Sequence, residues 1–107
     1  MEATKDDFEK LNILIGRILN VSEIPNSNKL LKLEISLGDK KKTILSGIKK
    51  WYKKEDLIGK EVVVLENIKP AKMAGELSEG MILAASDGEN LSILTVDREI
   101  REGAKVS

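Results

Sequence analysis

Leu31, Leu33, Ile35 and Leu37 alternate with Lys32, Glu34 and Ser36. This period of two predicts a half-buried strand over residues 31–37. Residues 13–21 are rich in β-branched side chains and carry Gly16 within the run. A glycine inside a strand pattern marks a bulge or a bend, so one long, strongly curved first strand is expected. Ile24-Pro25-Asn26-Ser27-Asn28-Lys29 between the two is a turn cluster. Gly38-Asp39 opens a hairpin turn into a third strand at residues 41–46. Further apolar runs predict strand four at 61–65 and strand five at 81–86. After a turn at 87–90, a further short strand is expected at 91–96.

Two short stretches read as helix. Thr4-Lys5-Asp6-Asp7 has an N-cap residue followed by acidic groups, which favour the positive end of a helix. A helical turn should follow, with Phe8 and Leu11 facing inward. Residues 49–59, with Trp51, Tyr52, Leu57 and Ile58, read as a compact, partly helical insert closed by Gly59 as a C-cap.

These elements predict an all-β fold. Five strands with a helical insert between the third and fourth, after a short N-terminal helix, is the order of a five-stranded Greek-key OB-fold barrel. A ligand of that fold lies on the face of strands two and three, clamped by the loops joining strands one to two and four to five. Those loops are residues 22–29 and 66–80. The second is long for a connection between strands and holds Pro70, Gly75, Gly80, Lys69 and Lys72.

Composition narrows the function. At 107 residues the chain makes one domain, residues 1–107, with 41% hydrophobic and 34% charged residues. Phe8, Trp51 and Tyr52 are its only aromatics, so the core must be aliphatic. With no Cys and no His, disulfides, thiolate or imidazole metal sites and Cys- or His-based catalysis are excluded. No carboxylates form a recognisable acid/base motif, so an enzyme is not expected. No apolar run approaches the roughly 18 residues of a membrane helix, and the polar N-terminus is unlike a signal peptide. A cytoplasmic location fits the absence of Cys.

The formal net charge is zero, but it is unevenly spread. Residues 1–39 balance to −2, residues 40–72, with ten Lys, to +6, and residues 73–107 to −4. A basic middle can hold a polyanion locally, because Coulomb attraction fades over roughly 8–10 Å at physiological salt.

Asn67-Ile68-Lys69-Pro70, Lys72-Met73 and Ser78-Glu79-Gly80-Met81 resemble the signature of the tRNA-binding domain attached to many methionyl-tRNA synthetases. That domain also occurs as a free-standing tRNA-binding protein and in the endothelial monocyte-activating polypeptide. Ile15-Gly16-Arg17-Ile18, Asn28-Lys29-Leu30, Leu45-Ser46-Gly47-Ile48 and Leu57-Ile58-Gly59-Lys60 stand in the family's order, so the resemblance covers roughly residues 7–107. It implies a non-enzymatic module that grips tRNA by shape and backbone, in the service of a methionyl-tRNA synthetase in cis or as a separate chain.

On this resemblance Lys29, Lys69 and Lys72 are the expected phosphate contacts, with Lys32 adding to them from the polar side of strand two. Ser46 ends strand three at the same face. Asn67 and Ser78 bracket the loop and either bond the RNA or tie down backbone; for Asn67 the second role is favoured. Met81 belongs to the motif and is expected to serve as core or loop anchor. Trp51 and Tyr52 are read as packing residues, and Lys40, Lys41 and Lys42 as solvation at a hairpin tip. Three positions depart from the family pattern: Ile24 for His, Asn28 for Asp, and Ala74 where Arg is common. The resemblance also implies a homodimer through residues 90–107, whose Leu91, Ile93, Leu94, Val96, Ile100 and Val106 are rich in apolar surface. The alternative on the same fold is a small export-related chaperone that binds unfolded peptides. That branch usually lacks the Ser46-Gly47-Ile48 and Asn67–Pro70 motifs.

Overall fold

The aliphatic side chains that alternate along the strands converge on one core. Ile18, Val21, Leu33, Ile35, Ile44, Val62 and Val64 are fully buried there, with Leu57 from the insert. The computed structural model describes all 107 residues. Its elements are α1 (Lys5–Glu9), β1 (Ile13–Glu23), β2 (Leu31–Ser36), β3 (Lys41–Ser46), α2 (Lys54–Leu57), β4 (Glu61–Leu65), β5 (Ala71–Met73), β6 (Glu76–Ser78), β7 (Met81–Ile82), β8 (Ala84–Ser86) and β9 (Leu91–Ile93). A five-stranded antiparallel sheet in the order β3-β2-β1-β4-β7 curls into a nearly closed OB-fold barrel. No helix is long and apolar enough to cross a membrane.

β1 is the long bent strand that its pattern predicts, but Gly16 is not the bulge. The register against β2 shifts between Ile18 and Asn20. Gly16 serves close approach instead: a Cβ there would stand 2.5 Å from Ile35 Cγ2. Beyond the bend, residues 13–17 pair with β4 on one side, and the C-terminal segment takes the other. Gly103 N–H donates to Ile15 O (2.7 Å), Ile15 N–H to Ala104 O (2.9 Å) and Val106 N–H to Ile13 O (2.9 Å). Residues 101–106 therefore strap the barrel edge rather than hanging free.

Three local expectations change. Phe8 and Leu11 point outward, each 41% exposed, because α1 is too short to reach the core and lies on the surface. Its start is as predicted, with Thr4 and Asp7 capping each other's backbone N–H. Strand five breaks at Leu83. β7 stays in the barrel, whereas β8 leaves it to pair with β9 as a separate hairpin. The long loop, expected only as a connection, has strands of its own. It folds on itself as the β5–β6 hairpin around Ala74 and Gly75, at φ 49° and 82°. Positive φ at both central residues gives the turn that matches strand twist, and Ala74 adopts it at roughly 1–2 kcal/mol.

The insert holds to the reading more closely. α2 ends at Leu57 with Ile58 as its cap, and Gly59 follows at φ 88°, donating its N–H to Ile18 O (2.8 Å). Tyr52 packs against the core, and its hydroxyl accepts the Ile93 N–H (3.1 Å). Trp51 departs from the packing role and stays 37% exposed.

Gly16→Ala should destabilise the barrel by about 1–3 kcal/mol, because Ile35 is itself fully buried and cannot yield. Gly47→Ala, with nothing within 4 Å of the added carbon, should change stability by less than about 0.5 kcal/mol. Urea denaturation of the two variants measures the difference; equal losses would show that the Gly16 contact relaxes.

Candidate nucleic-acid interface

The β2–β3 hairpin displays its polar side between two loops. One is residues 24–30, joining β1 to β2; the other, residues 66–80, contains the β5–β6 hairpin. The first is held by Ser27, whose Oγ accepts the N–H of Lys29 (3.2 Å) and of Leu30 (3.0 Å). Ile24, at one of the departures from the family pattern, is buried and anchors that loop apolarly.

The second loop is fastened at both ends. At its start Asn67 reaches out of the loop: its Oδ1 accepts the Asn12 N–H (2.7 Å) and its Nδ2 donates to Lys10 O (2.8 Å). At its end Ser78 is 2% exposed; its Oγ accepts the Leu45 N–H (3.0 Å) and donates to Gly80 O (2.9 Å). Both side chains hydrogen-bond within the chain at the two ends of the loop. Glu79 completes the attachment, donating its N–H to Thr43 O and accepting the Thr43 N–H on its carboxylate, both at 2.8 Å.

Between these fastenings Lys69 and Lys72 are exposed and paired with no carboxylate, and Lys29 is likewise free on the other loop. Lys32 is different. Its ammonium lies 2.7 Å from Glu76 Oε1 on β6, so it clips the hairpin to β2 and its charge is largely compensated. Nothing about Glu76 in isolation signals this, because the pair joins positions 44 apart in the chain. Ser46 is half-buried beside Leu31 in the ladder. Met81 is 40% exposed: on β7 the neighbouring Ile82 takes the inward position, so Met81 faces out and does not enter the core.

Lys40 also departs from expectation. Its ammonium is 2.9 Å from Glu66 Oε1, which draws the hairpin tip onto the end of β4. The Lys40 hydrogen bond, outweighing partial burial, holds the Glu66 carboxyl below the ordinary carboxylate range and raises Lys40 in turn. Only Lys41 and Lys42 of that run remain unpaired. Free cations thus stand on the two loops and along the insert as well as at the start of β3.

An OB-fold barrel whose strand face is flanked by cationic loops has the layout of an oligonucleotide- or oligosaccharide-binding module. The family model described as "Putative tRNA binding domain" matches residues 13–105, and the chain belongs to that family. It is 57% identical over 100 residues to the methionine–tRNA ligase of Methanocaldococcus jannaschii, and 51% identical over 104 residues to that of Thermotoga maritima. Those matches cover 92% and 97% of this chain but only 15% and 16% of the relatives' lengths. Among solved structures, a MetRS related protein from Pyrococcus horikoshii matches with a TM-score of 0.92 at 31% identity, over 100% of both chains. The chaperone CsaA of Bacillus anthracis matches with a TM-score of 0.90 at 31% identity, again over 100% of both.

Ser78→Ala removes the acceptor of a buried backbone N–H and should cost about 1–3 kcal/mol in urea denaturation. Ser46→Ala, which loses no side-chain hydrogen bond, should stay within about 0.5 kcal/mol of wild type. A Ser78 variant as stable as wild type would return that hydroxyl to the pool of possible ligand groups.

Proposed function

We propose that this chain is a non-enzymatic tRNA-binding module acting in the cytoplasm. It grips tRNA by shape and backbone through the β2–β3 face and its two flanking loops. The observation that carries the reading is the pair of unpaired lysines, Lys69 and Lys72, held out on a hairpin fastened at both ends, in a chain of this family. Lys29 faces the same ligand from the other loop. Point-charge lysines contact phosphates without reading sequence, so several tRNAs should bind alike. Lys32 and Ser46 line the face, Met81 borders it, and Asn67 and Ser78 act by shaping the loop. The module serves a methionyl-tRNA synthetase, in cis or as a separate chain; the identity with two methionine–tRNA ligases supports this.

The likeness to CsaA supports a second reading, an unfolded-peptide chaperone. Ile68, Leu77 and Met81 are exposed apolar residues in and beside the long loop that such a ligand could cover. A gel shift with mixed tRNA, equal-length unstructured RNA and an unfolded peptide separates the two. The module should favour tRNA over unstructured RNA, and prior binding of peptide should not displace it.

The Lys69→Glu, Lys72→Glu double variant should lose most tRNA affinity. Removing each phosphate contact should flatten the plot of log affinity against log salt by roughly 0.7–0.9 units. Lys53→Glu with Lys54→Glu makes the same charge change on the exposed insert. Lys40 is unsuitable for that comparison, because a Glu there would face Glu66. Equal losses from both doubles would mean a diffuse basic surface rather than a site.

The chain should also form a two-fold homodimer. Ile93 and Ala104 are spent on the barrel's own core, but Leu94 and Ile100 remain 40% and 46% exposed in the C-terminal segment. Ile58, 46% exposed, follows α2 beside Gly59, whose carbonyl Arg17 bonds. Light scattering at micromolar concentration should give twice the 11.8 kDa chain mass. A monomeric mass would leave these side chains as cover for the strap.

A further inference from the structure

A cleft of about 760 Å³ opens between the β1–β2 loop and the start of the insert, lined by Ser27, Asn28, Lys29 and Leu30 on one side and Gly47, Lys50 and Trp51 on the other. We propose that this cleft takes one unstacked nucleotide of the bound RNA, its base laid on Trp51 and its phosphate held by Lys29 and Lys50. The proposal rests on the tRNA-binding reading above and extends it by a stacking subsite.

Trp51 is placed for this. Its neighbour Tyr52 is built into the core, yet the Trp51 ring stays 37% exposed and lines the cleft. The ring is nonetheless fixed. Its Nε1–H donates to Glu89 O (3.0 Å) across the β8–β9 turn, and its backbone N–H to Ile48 O (2.9 Å). A flat aromatic held at its edge, with surface left open, is the group on which a base stacks at low entropic cost.

The charge around it fits a nucleotide. The lining holds two lysines and no carboxylate. Lys50 Nζ lies 5.4 Å from the indole centroid, so the cation already rests on the ring and can swing to a phosphate. Lys29 carries no ion pair and belongs to the proposed phosphate face, so the cleft continues that face. The two walls are joined, because Lys49 N–H donates to Lys29 O (3.2 Å). The floor at Gly47 is open, with nothing within 4 Å of a would-be Cβ.

Trp51 is the only tryptophan in the chain, so its fluorescence reports from this cleft alone. The full chain is titrated with mixed tRNA, a single-stranded hexaribonucleotide, duplex RNA of that length and an unfolded acidic peptide. Quenching by tRNA and by the single strand, with little by duplex, is expected. By gel shift Trp51→Ala should weaken tRNA binding roughly tenfold, and Trp51→Phe, which keeps a stacking ring but lacks the bond to Glu89, should recover most of it. If the Phe variant is as weak as Ala, Trp51 acts only through that bond and the stacking role is overturned. Should Trp51→Ala not fold, Lys50→Gln takes its place and must reduce both affinity and salt slope.

A tRNA that binds without quenching, with Trp51→Ala binding like wild type, overturns the subsite and leaves the tRNA reading standing. If tRNA does not bind at all, that reading fails separately. The hexaribonucleotide then decides the cleft: quenching upholds stacking, and none overturns it. Quenching by peptide alone would make the cleft a peptide site and overturn the proposal.

Discussion

The barrel is closed at one seam by the loop that carries its free lysines. β3 has no strand partner on its outer edge in the main sheet. Its exposed backbone groups are satisfied instead by Ser78 Oγ and by the Glu79 backbone and carboxylate. An unpaired edge in a buried seam would leave donors and acceptors without partners, at a cost comparable to lost hydrogen bonds. The loop therefore cannot swing freely without opening the barrel. That coupling explains how a 15-residue connection can present Lys69 and Lys72 on a base fastened at Asn67, Glu76 and Ser78.

The opposite side of the molecule is organised by Arg17. Its guanidinium lies 3.1 Å from Glu102, 3.6 Å from Glu99 and 3.8 Å from Glu61, and donates to Gly59 O (2.8 Å). Glu61 is 6% exposed; its Oε1 accepts the Ile100 N–H (3.2 Å), while Oε2 has no hydrogen-bond partner and relies on the arginine's charge. A hydrogen bond from Ser36, and then Arg17, hold the Glu102 carboxyl below its ordinary range. The strap at 101–106 is thus locked by ion pairs as well as by its backbone bonds to β1. Glu99 and Glu102 of the acidic C-terminal third are thus turned toward Arg17 rather than toward the basic middle of the chain.

The surface cations fall into paired and unpaired groups. Cations spent on structure, namely Arg17, Lys32, Lys40 and Lys49, are each paired with a carboxylate of this chain. Cations left without a carboxylate include those of the two loops and most of the insert, together with Lys41 and Lys42 on β3. The distinction separates lysines of identical chemistry, and it shifts attention from Lys32 toward Lys50 and the exposed Trp51.

Much of this was legible along the chain. The alternation at 31–37 determined which face of β2 is buried, because a strand's side chains must alternate. Gly38 and Gly59 marked turns that need positive φ, and both adopt it. The position of the long loop followed from strand order alone. What the linear pattern could not hold was anything set by contacts between distant residues. Gly16 read as a bulge or a bend; it is a close contact with Ile35, and the register shift falls at Ile18–Asn20. Phe8 and Leu11 looked inward, but α1 finds no core to face. That Ser78 accepts a hydrogen bond from Leu45 could not be read along the chain, and Lys40 looked solvated until Glu66 was folded against it. Local pattern decides which side of an element is apolar; only the closed barrel decides which polar groups meet partners from across the chain and which remain free.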